Sequence, residues 1–385
     1  MLIATLISII LFLSYAALIL FYYNAWKSIP DFTSLKTNLS TKISIIIPAR
    51  NEEQNVLDCL ASLKNQTYSK NLYEVIVVDD HSTDNTWSVL QNFPHEEMNF
   101  KKLKLSDHIT DSNKNKAYKK LAIETAINNA EGNLIVTSDA DCTFNNTWLQ
   151  TIVRFYETTN AKFIAAPVRI KCSTNLLDIF QTLDFITLQG ITAASVSKKF
   201  HSMCNGANLA YEKNVFFEVD GFKNIDNIPS GDDMLLMHKI YKKYSDNIFY
   251  LKNRNAIVTT QSQSSWKNFF NQRIRWASKA DVYDDKRIFW VLLLVYCFNL
   301  LFLVLAIVAF WNIQFLLIAA ALLILKIFVE FLFVNSVAKF FDQRSLIIYF
   351  PFLQPLHILY IIISGFFGKF GSYQWKGRKV VNREK

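Results

Sequence analysis

Apolar positions fall into three regimes along this chain. Residues 2–23 carry no charged side chain, residues 24–288 mix apolar and polar positions, and residues 289–370 are again mostly apolar. An uncharged run of about 20 residues can cross a hydrocarbon core roughly 30 Å thick. The first regime therefore reads as a membrane anchor over 1–26. It lacks the basic start and the small-residue cleavage site of a secretory signal, so an uncleaved anchor is expected. The last regime offers spans near 289–311, 313–335 and 346–368, within a transmembrane region over 288–370. A basic tail over 371–385 follows it.

The middle regime alternates short apolar runs with helical periodicity. Residues 43–47 (Ile-Ser-Ile-Ile-Ile) form a β-branched run before Pro48, and residues 74–78 form a second run ending in Asp79-Asp80. Both read as buried strands. Between them Val56, Leu57, Leu60 and Leu63 recur at helical spacing. Strand, helix and strand within about 30 residues make a βαβ unit of a parallel sheet. Further helices are expected over 84–92, 113–130 and 146–158, and further strands over 133–137 and 163–168. The fold class that follows is α/β, with an open, mostly parallel sheet in a domain over about 40–260. Such sheets bind ligands beyond the carboxyl ends of their strands, and Asp79, Asp80, Asp139 and Asp141 all fall at such ends.

Residues 264–283 interleave Trp266, Phe269, Phe270, Ile274 and Trp276 with Lys267, Arg273, Arg275 and Lys279. This pattern predicts an amphipathic helix lying in the membrane interface, within a segment over 261–287. In the second C-terminal span Lys326 and Glu330 are one helical turn apart, so a mutual ion pair is expected at that depth. Pro351 and Pro355 are expected to break or kink the third. Lys27, Lys36, Lys42 and Arg50 follow the anchor, and the positive-inside rule then keeps the large domain cytoplasmic. Three full C-terminal crossings would put the basic tail outside, against the same rule. A third segment that re-enters or stays in the interface would relieve that conflict.

Composition narrows the partners. The five cysteines (Cys59, Cys142, Cys172, Cys204, Cys297) are odd in number and contain no Cys-x-x-Cys pair. Neither a disulfide framework nor a zinc site is expected, which suits a reducing compartment. The net charge of +9 reads as membrane flanks meeting anionic headgroups, and no nucleic-acid motif accompanies it.

Asp139-Ala140-Asp141 carries the sharpest chemistry. Two carboxylates two residues apart project to one side of extended backbone. A hard divalent cation, Mg²⁺ or Mn²⁺, takes one or two carboxylates together with phosphate oxygens, and such an ion stabilises charge on a departing diphosphate. Asp79 and Asp80 offer a helix cap or a hydrogen bond to a base imide or ribose hydroxyl. Lys116, at a helix start, is placed to meet a phosphate or to stay a surface charge. Asp232-Asp233 opens an apolar helix, where it complements the helix dipole or supplies a general base for an acceptor hydroxyl. Gln272, Arg275 and Trp276, at i, i+3 and i+4, share a helix face. There arginine suits a pyrophosphate and tryptophan a sugar ring.

Taken together these segments resemble the inverting glycosyltransferases of family 2, the class of membrane-bound cellulose, chitin and hyaluronan synthases. Six motifs occur in order across about 43–276. They are Pro48-Ala49-Arg50-Asn51-Glu52, Val78-Asp79-Asp80-His81-Ser82-Thr83-Asp84, Asn115-Lys116-Ala117, Asp139-Ala140-Asp141, Gly231-Asp232-Asp233 and Gln272-Arg273-Ile274-Arg275-Trp276. The resemblance implies a GT-A fold and an inverting, hexosyltransferase-type transfer. It implies nucleotide contacts at Glu52, Asp79 or Asp80, and Lys116, with Asp139 and Asp141 at the metal-diphosphate. Asp233 becomes the general base, paired with Asp232. Gln272, Arg275 and Trp276 become a donor-acceptor clamp, and residues 205–208 an acceptor-side loop. His81, Asn115 and Asp232 depart from the family pattern, standing where it has Gly, Gly and Glu.

The expected protein is a multi-pass enzyme of the cell (inner) membrane with a cytoplasmic catalytic domain. It would move a sugar from a nucleotide-sugar donor, a UDP-sugar being the commonest family choice, to a lipid or lipid-linked glycan. A processive polysaccharide synthase is the first rival, but its channel needs more spans than these. An inactive nucleotide-sugar-binding scaffold is the second, although Asp139, Asp141 and Asp233 are all retained.

Overall fold

The structure is a computed structural model that describes residues 1–110, 117–228, 231–279, 285–375 and 378–381. In chain order the elements are α1 (Leu2–Ser28), β1 (Ile43–Ala49), α2 (Val56–Lys64), β2 (Tyr73–Asp79), α3 (Thr86–Asn92), β3 (Asn99–Lys104), α4 (Tyr118–Asn128) and β4 (Leu134–Thr137). Next come β5 (Thr143–Phe144), α5 (Trp148–Thr158), β6 (Phe163–Ala165), β7 (Val168–Ile170), α6 (Leu176–Ser197), β8 (Leu209–Glu212), α7 (Lys213–Glu218), α8 (Met234–Tyr244), β9 (Ile248–Tyr250) and β10 (Val258–Thr260). The last are α9 (Trp266–Ala277), α10 (Lys286–Val308), α11 (Gln314–Phe340), α12 (Phe350–Phe370), β11 (Ser372–Trp375) and β12 (Arg378–Val381). The chain divides into two compact units. One comprises Pro30–Lys171 and Ser202–Gln261, and the other Met1–Ile29, Cys172–His201 and Ser262–Lys385.

The first unit is built on a seven-stranded sheet of order β3-β2-β1-β4-β8-β6-β9. β1 lies between two parallel partners, with Ala49 opposite Asp79 of β2 and Ile46 opposite Thr137 of β4. Covered on both sides and both faces, it needs the continuous apolar run seen at residues 43–47. The strand runs on through Pro48. The Ile46 carbonyl accepts from Ser138 N on the β4 side, so Pro48 faces the same way, beyond the end of β4, where no donor is required. β8 is antiparallel to β4 and β6. That reversal sets Leu209 opposite Thr137 and delivers residues 205–208 to the carboxyl edge of β4. Pro167 divides the strand expected over 163–168: β6 stays in the large sheet, and β7 joins β10 and β5 in a three-stranded one. At the opposite edge Gly132 fits because a Cβ there would lie 2.4 Å from the Ile43 carbonyl carbon.

The second unit holds four helical stretches long and apolar enough to cross a membrane, Leu2–Ser28, Lys286–Val308, Gln314–Phe340 and Arg344–Phe370. The Lys326 and Glu330 charges pair at 2.7 Å. Gln354 joins them, accepting from Lys326 at 2.5 Å and donating to Glu330 at 2.7 Å, and the Tyr15 hydroxyl donates to Glu330. Partners on α1, α11 and α12 thus neutralise a pair that would be costly in hydrocarbon. α12 continues through Pro355. Pro351 sits in its first turn, where an N–H would have no intrahelical partner.

The long helix α6 carries Asp184 into this unit. Asp184 accepts from Arg273 Nη2 and Nε of α9 at 2.7 and 3.0 Å and from the Tyr360 hydroxyl of α12 at 2.6 Å. Arg273 is 3% exposed, so the basic residue at the centre of the expected interfacial helix faces inward.

Candidate active site

Three adjacent strand ends define the site. The loops after β1 and β2 are laced together: Arg50 Nη1 donates to the carbonyls of Asp80 (2.8 Å) and His81 (3.1 Å). Asn51 Oδ1 accepts from Thr83 N at 2.8 Å, and Thr86 Oγ1 accepts from Glu52 N at 2.7 Å. Asn51 and His81 both take left-handed backbone, at φ 52° and 53°. Asparagine tolerates that region readily, and histidine does so less often. The Glu52 carboxylate accepts from Asn55 Nδ2 at 2.9 Å.

Asp79 and Asp80 are 6% and 3% exposed. Asp80 Oδ1 is 3.0 Å from His81 Nδ1. Asp79 Oδ2 has a long contact of 3.4 Å with Ser82 N, while its buried Oδ1 has no hydrogen-bond partner among the described residues. A buried acceptor left unmatched is costly in a folded chain. It marks a place where an external N–H or O–H fits.

Beyond β4, Lys119 from the first turn of α4 reaches Asp139 Oδ1 at 2.9 Å and Asp232 Oδ2 at 3.2 Å. Burial alone would lower the lysine pKa, but the charges of Asp139, Asp232 and Asp233 outweigh it and hold the ammonium above the usual lysine range. Asp139 remains open, with its side chain 39% exposed. Asp141 lies beside Cys142, whose Sγ is 3.5 Å from Asp141 Oδ1. Burial, then the Asp141 charge, pushes that thiol up, so it packs rather than reacts.

Lys120, 1% exposed, points the other way and donates to the carbonyls of Ile225 and Ile228 at 2.6 and 2.9 Å. Burial pulls its pKa down to about 8 against the nearby charges of Asp232, Asp233 and Asp226. Asp233 caps α8, accepting from Met234 N at 2.7 Å, and its other oxygen accepts from Gly206 N at 3.1 Å. The two alternatives read from sequence for this carboxylate, a helix cap and a site residue, coexist. Asn208 turns inward, fully buried, donating to the carbonyls of Pro167 and Ala256 at 2.8 Å each. It holds the 205–208 turn from behind.

Of the residues singled out in the sequence, Asp139 and Asp232 are joined through Lys119, and Asp233 directly follows Asp232. Asp79, Asp80 and Glu52 share the laced loops. Lys116 lies outside the described residues. Gln272, Arg275 and Trp276 belong to the other unit, on α9. There Gln272 Oε1 accepts from Arg273 Nη1 at 2.8 Å and the Trp276 ring stacks 4.3 Å from the Arg273 guanidinium. Lys119 belongs to no local motif, whereas the Asn115-Lys116 pair does, so the sequence pattern pointed to Lys116. The helix expected from residue 113 begins at Tyr118, five residues later, and that start puts Lys119 in its first turn.

This open, mostly parallel sheet with carboxylates at neighbouring strand ends has a GT-A-like architecture. Residues 44–217 match glycosyl transferase family 2, and residues 134–362, more than half of the chain, match glycosyl transferase family group 2. The chain belongs to this family of glycosyltransferases. It is 26% identical to the probable glycosyltransferase YdaM of Bacillus subtilis over 66% of this chain and 59% of that protein. It is 25% identical, over 67% of this chain and 80% of the other, to a Methanococcus voltae enzyme described as a dolichyl N-acetyl-alpha-D-glucosaminyl phosphate 3-beta-D-2,3-diacetamido-2,3-dideoxy-beta-D-glucuronosyltransferase. Among solved structures, a mannosyltransferase from Pyrobaculum calidifontis in complex with GDP-Man and Mn²⁺ covers 95% of this chain and 98% of its own. Its TM-score is 0.59 and its identity 18%, a likeness of fold.

Proposed function

We propose that this protein transfers a sugar from a nucleotide-sugar donor to a lipid or lipid-linked glycan acceptor by a single inverting displacement. We place the transfer at the cytoplasmic face of the cell membrane. The observation that carries the reading is the Lys119 ammonium held between Asp139 and Asp232 at the end of β4, with the unmatched Asp79 oxygen at the end of β2, on the other side of β1. Such a site has an acceptor for a base N–H at one end and charge for a diphosphate at the other. The four apolar stretches and the M. voltae relative, named for a dolichyl-phosphate substrate, support a membrane-borne acceptor.

In this reading Asp79 and Asp80 hold the base and ribose, with Glu52 beside them, Lys119 meets the diphosphate, and the family resemblance assigns Lys116 a nucleotide contact. Asp139 and Asp141 fit Mg²⁺ or Mn²⁺: both are hard oxygen donors, and Asp139 already holds a cation, the Lys119 ammonium. Among the described residues no group of three or more His, Cys, Asp or Glu forms a complete cage, and phosphate oxygens complete such a shell. When bound, the ion supplies charge that stabilises the leaving diphosphate. Asp233, fixed through both oxygens by backbone N–H groups, is assigned the general base that takes the acceptor hydroxyl proton, with Asp232 as its pair. Gln272, Arg275 and Trp276 are assigned contacts to the diphosphate and acceptor.

The test is nucleoside diphosphate release by the full-length protein from a panel of nucleotide sugars, with and without membrane lipid extract, at varied Mg²⁺ and Mn²⁺. Lipid-stimulated, metal-dependent release of one nucleotide supports the reading. Transfer to soluble acceptors alone would remove the membrane acceptor, and a long polymer product would replace single transfer by processive synthesis.

A further inference from the structure

The left-handed residue at the end of β2 carries an inference that rests on the donor-site reading above. Left-handed backbone is unfavourable for a residue with a Cβ, and strain of this kind persists where the surroundings enforce it. Here they do. Arg50 holds the carbonyls before and after the His81 Cα, those of Asp80 and His81, at 2.8 and 3.1 Å. Asp80 Oδ1 holds the imidazole by Nδ1 at 3.0 Å. The rings of His81 and Tyr118 meet edge to face, with centroids 5.2 Å apart and planes at 71°. Yet the His81 side chain remains 35% exposed. The ring is therefore fixed in place without being buried in a core, an arrangement that presents a preorganised surface to a ligand.

What that ligand is follows from the neighbours. Asp79, two residues earlier, has the unmatched oxygen suited to a base N–H. Tyr118 immediately precedes Lys119, whose ammonium marks the phosphate end. The first turn of α4 thus has an aromatic pair at one position and a cation at the next. We propose that His81, backed by Tyr118, forms one wall of the nucleobase site, and that its left-handed backbone exists to set the imidazole there. A glycine at this position would relieve the strain and remove the wall. The base packs against the imidazole while its N–H meets Asp79.

The test uses full-length protein in detergent with Mn²⁺ present and measures the affinity of UDP, GDP, CDP, ADP and inorganic pyrophosphate by calorimetry. His81→Gly should weaken the tightest-binding nucleoside diphosphate on the order of tenfold, as expected for loss of one base-stacking partner. It should leave pyrophosphate unchanged and keep or raise the melting temperature. His81→Asn, which tolerates left-handed backbone but offers no ring, should show the same loss. Equal weakening of pyrophosphate would show that the residue acts on the phosphate side and would overturn the inference. So would unchanged nucleotide affinity in both variants, with the donor site itself left standing. Wild-type protein that binds none of the nucleoside diphosphates would overturn the donor-site reading and this inference with it.

Discussion

Replacing Lys119 by Met removes the cation between Asp139 and Asp232 while keeping the length of the side chain. Two unit charges about 3 Å apart attract by roughly 5 kcal/mol at an effective dielectric of about 20, an attraction that the desolvation of all three groups offsets. The larger effect is what the substitution leaves behind. Removing one partner of a buried pair costs about 3–5 kcal/mol, because the other charge stays buried and unmatched. Asp232, with a side chain 8% exposed, would lose the Lys119 charge where water replaces it poorly, whereas Asp139, at 39%, can rehydrate. A net loss of about 2–3 kcal/mol follows, or roughly 5–10 °C in melting temperature for a domain of this size. The lysine pKa is raised, so its contribution is present below the unfolded lysine value, about 10.4, and is lost only as pH rises through the higher folded value. The deficit of Lys119→Met should therefore hold constant from pH 6 to 9. Tryptophan fluorescence melting of the full-length protein in detergent reads it directly. A change below about 1 °C would refute the reasoning, since it would mean that the Lys119 charge contributes little to holding Asp232 in the fold.

Other substitutions test separate parts of the account. Glu157 accepts from Ser40 N, Thr41 N and Thr41 Oγ1 and pairs with Lys36; burial opposes its ionisation, but those partners hold its carboxyl at about 2. Its stabilisation is thus present above the unfolded value of about 4.3 and lost as pH falls toward 2, so Glu157→Gln should flatten the decline in melting temperature between pH 5 and 3. Gly132→Ala would force a Cβ against β1 backbone 2.4 Å away, and loss of soluble expression or a fall of more than 3 kcal/mol, an order-of-magnitude figure, is expected. Arg273→Met should cost about 3 kcal/mol by leaving Asp184 buried and short of a cation, and adding Asp184→Asn should recover part of it in a double-mutant cycle. Asp233→Asn should abolish turnover while sparing donor binding; full activity would move the base role elsewhere.

The parts of the fold legible in the sequence were those with one dominant signal. Strands β1, β2 and β4 lie buried between neighbours, so their apolar runs announced them, and the carboxylates at their ends followed. β3 was missed because an edge strand reading Asn-Phe-Lys-Lys-Leu-Lys has its lysines half in solvent and carries too little apolar pattern. α6 was missed for another reason: Asp178, Gln181 and Asp184 interrupt its apolar face, and although Ser173 and Asn175 just before the helix satisfy Asp178, the partners of Gln181 and Asp184 lie 82 and 89 residues away. The pair of Lys326 and Glu330 was legible from spacing, whereas Gln354 and Tyr15, far away in sequence, were not. The same limit hid Lys119. Its partners are 20 and 113 residues away, and only the fold brings them to one point.

Transfer of this kind requires above all that the carboxylates after β4 hold a metal-bound nucleotide. Equilibrium binding of the preferred nucleoside diphosphate to full-length protein, titrated with and without Mn²⁺, measures this. The prediction is binding that requires the ion in wild type and weakens at least about tenfold in Asp139→Asn, which corresponds to 1.4 kcal/mol or more. Metal-independent binding of equal strength in both proteins would contradict it.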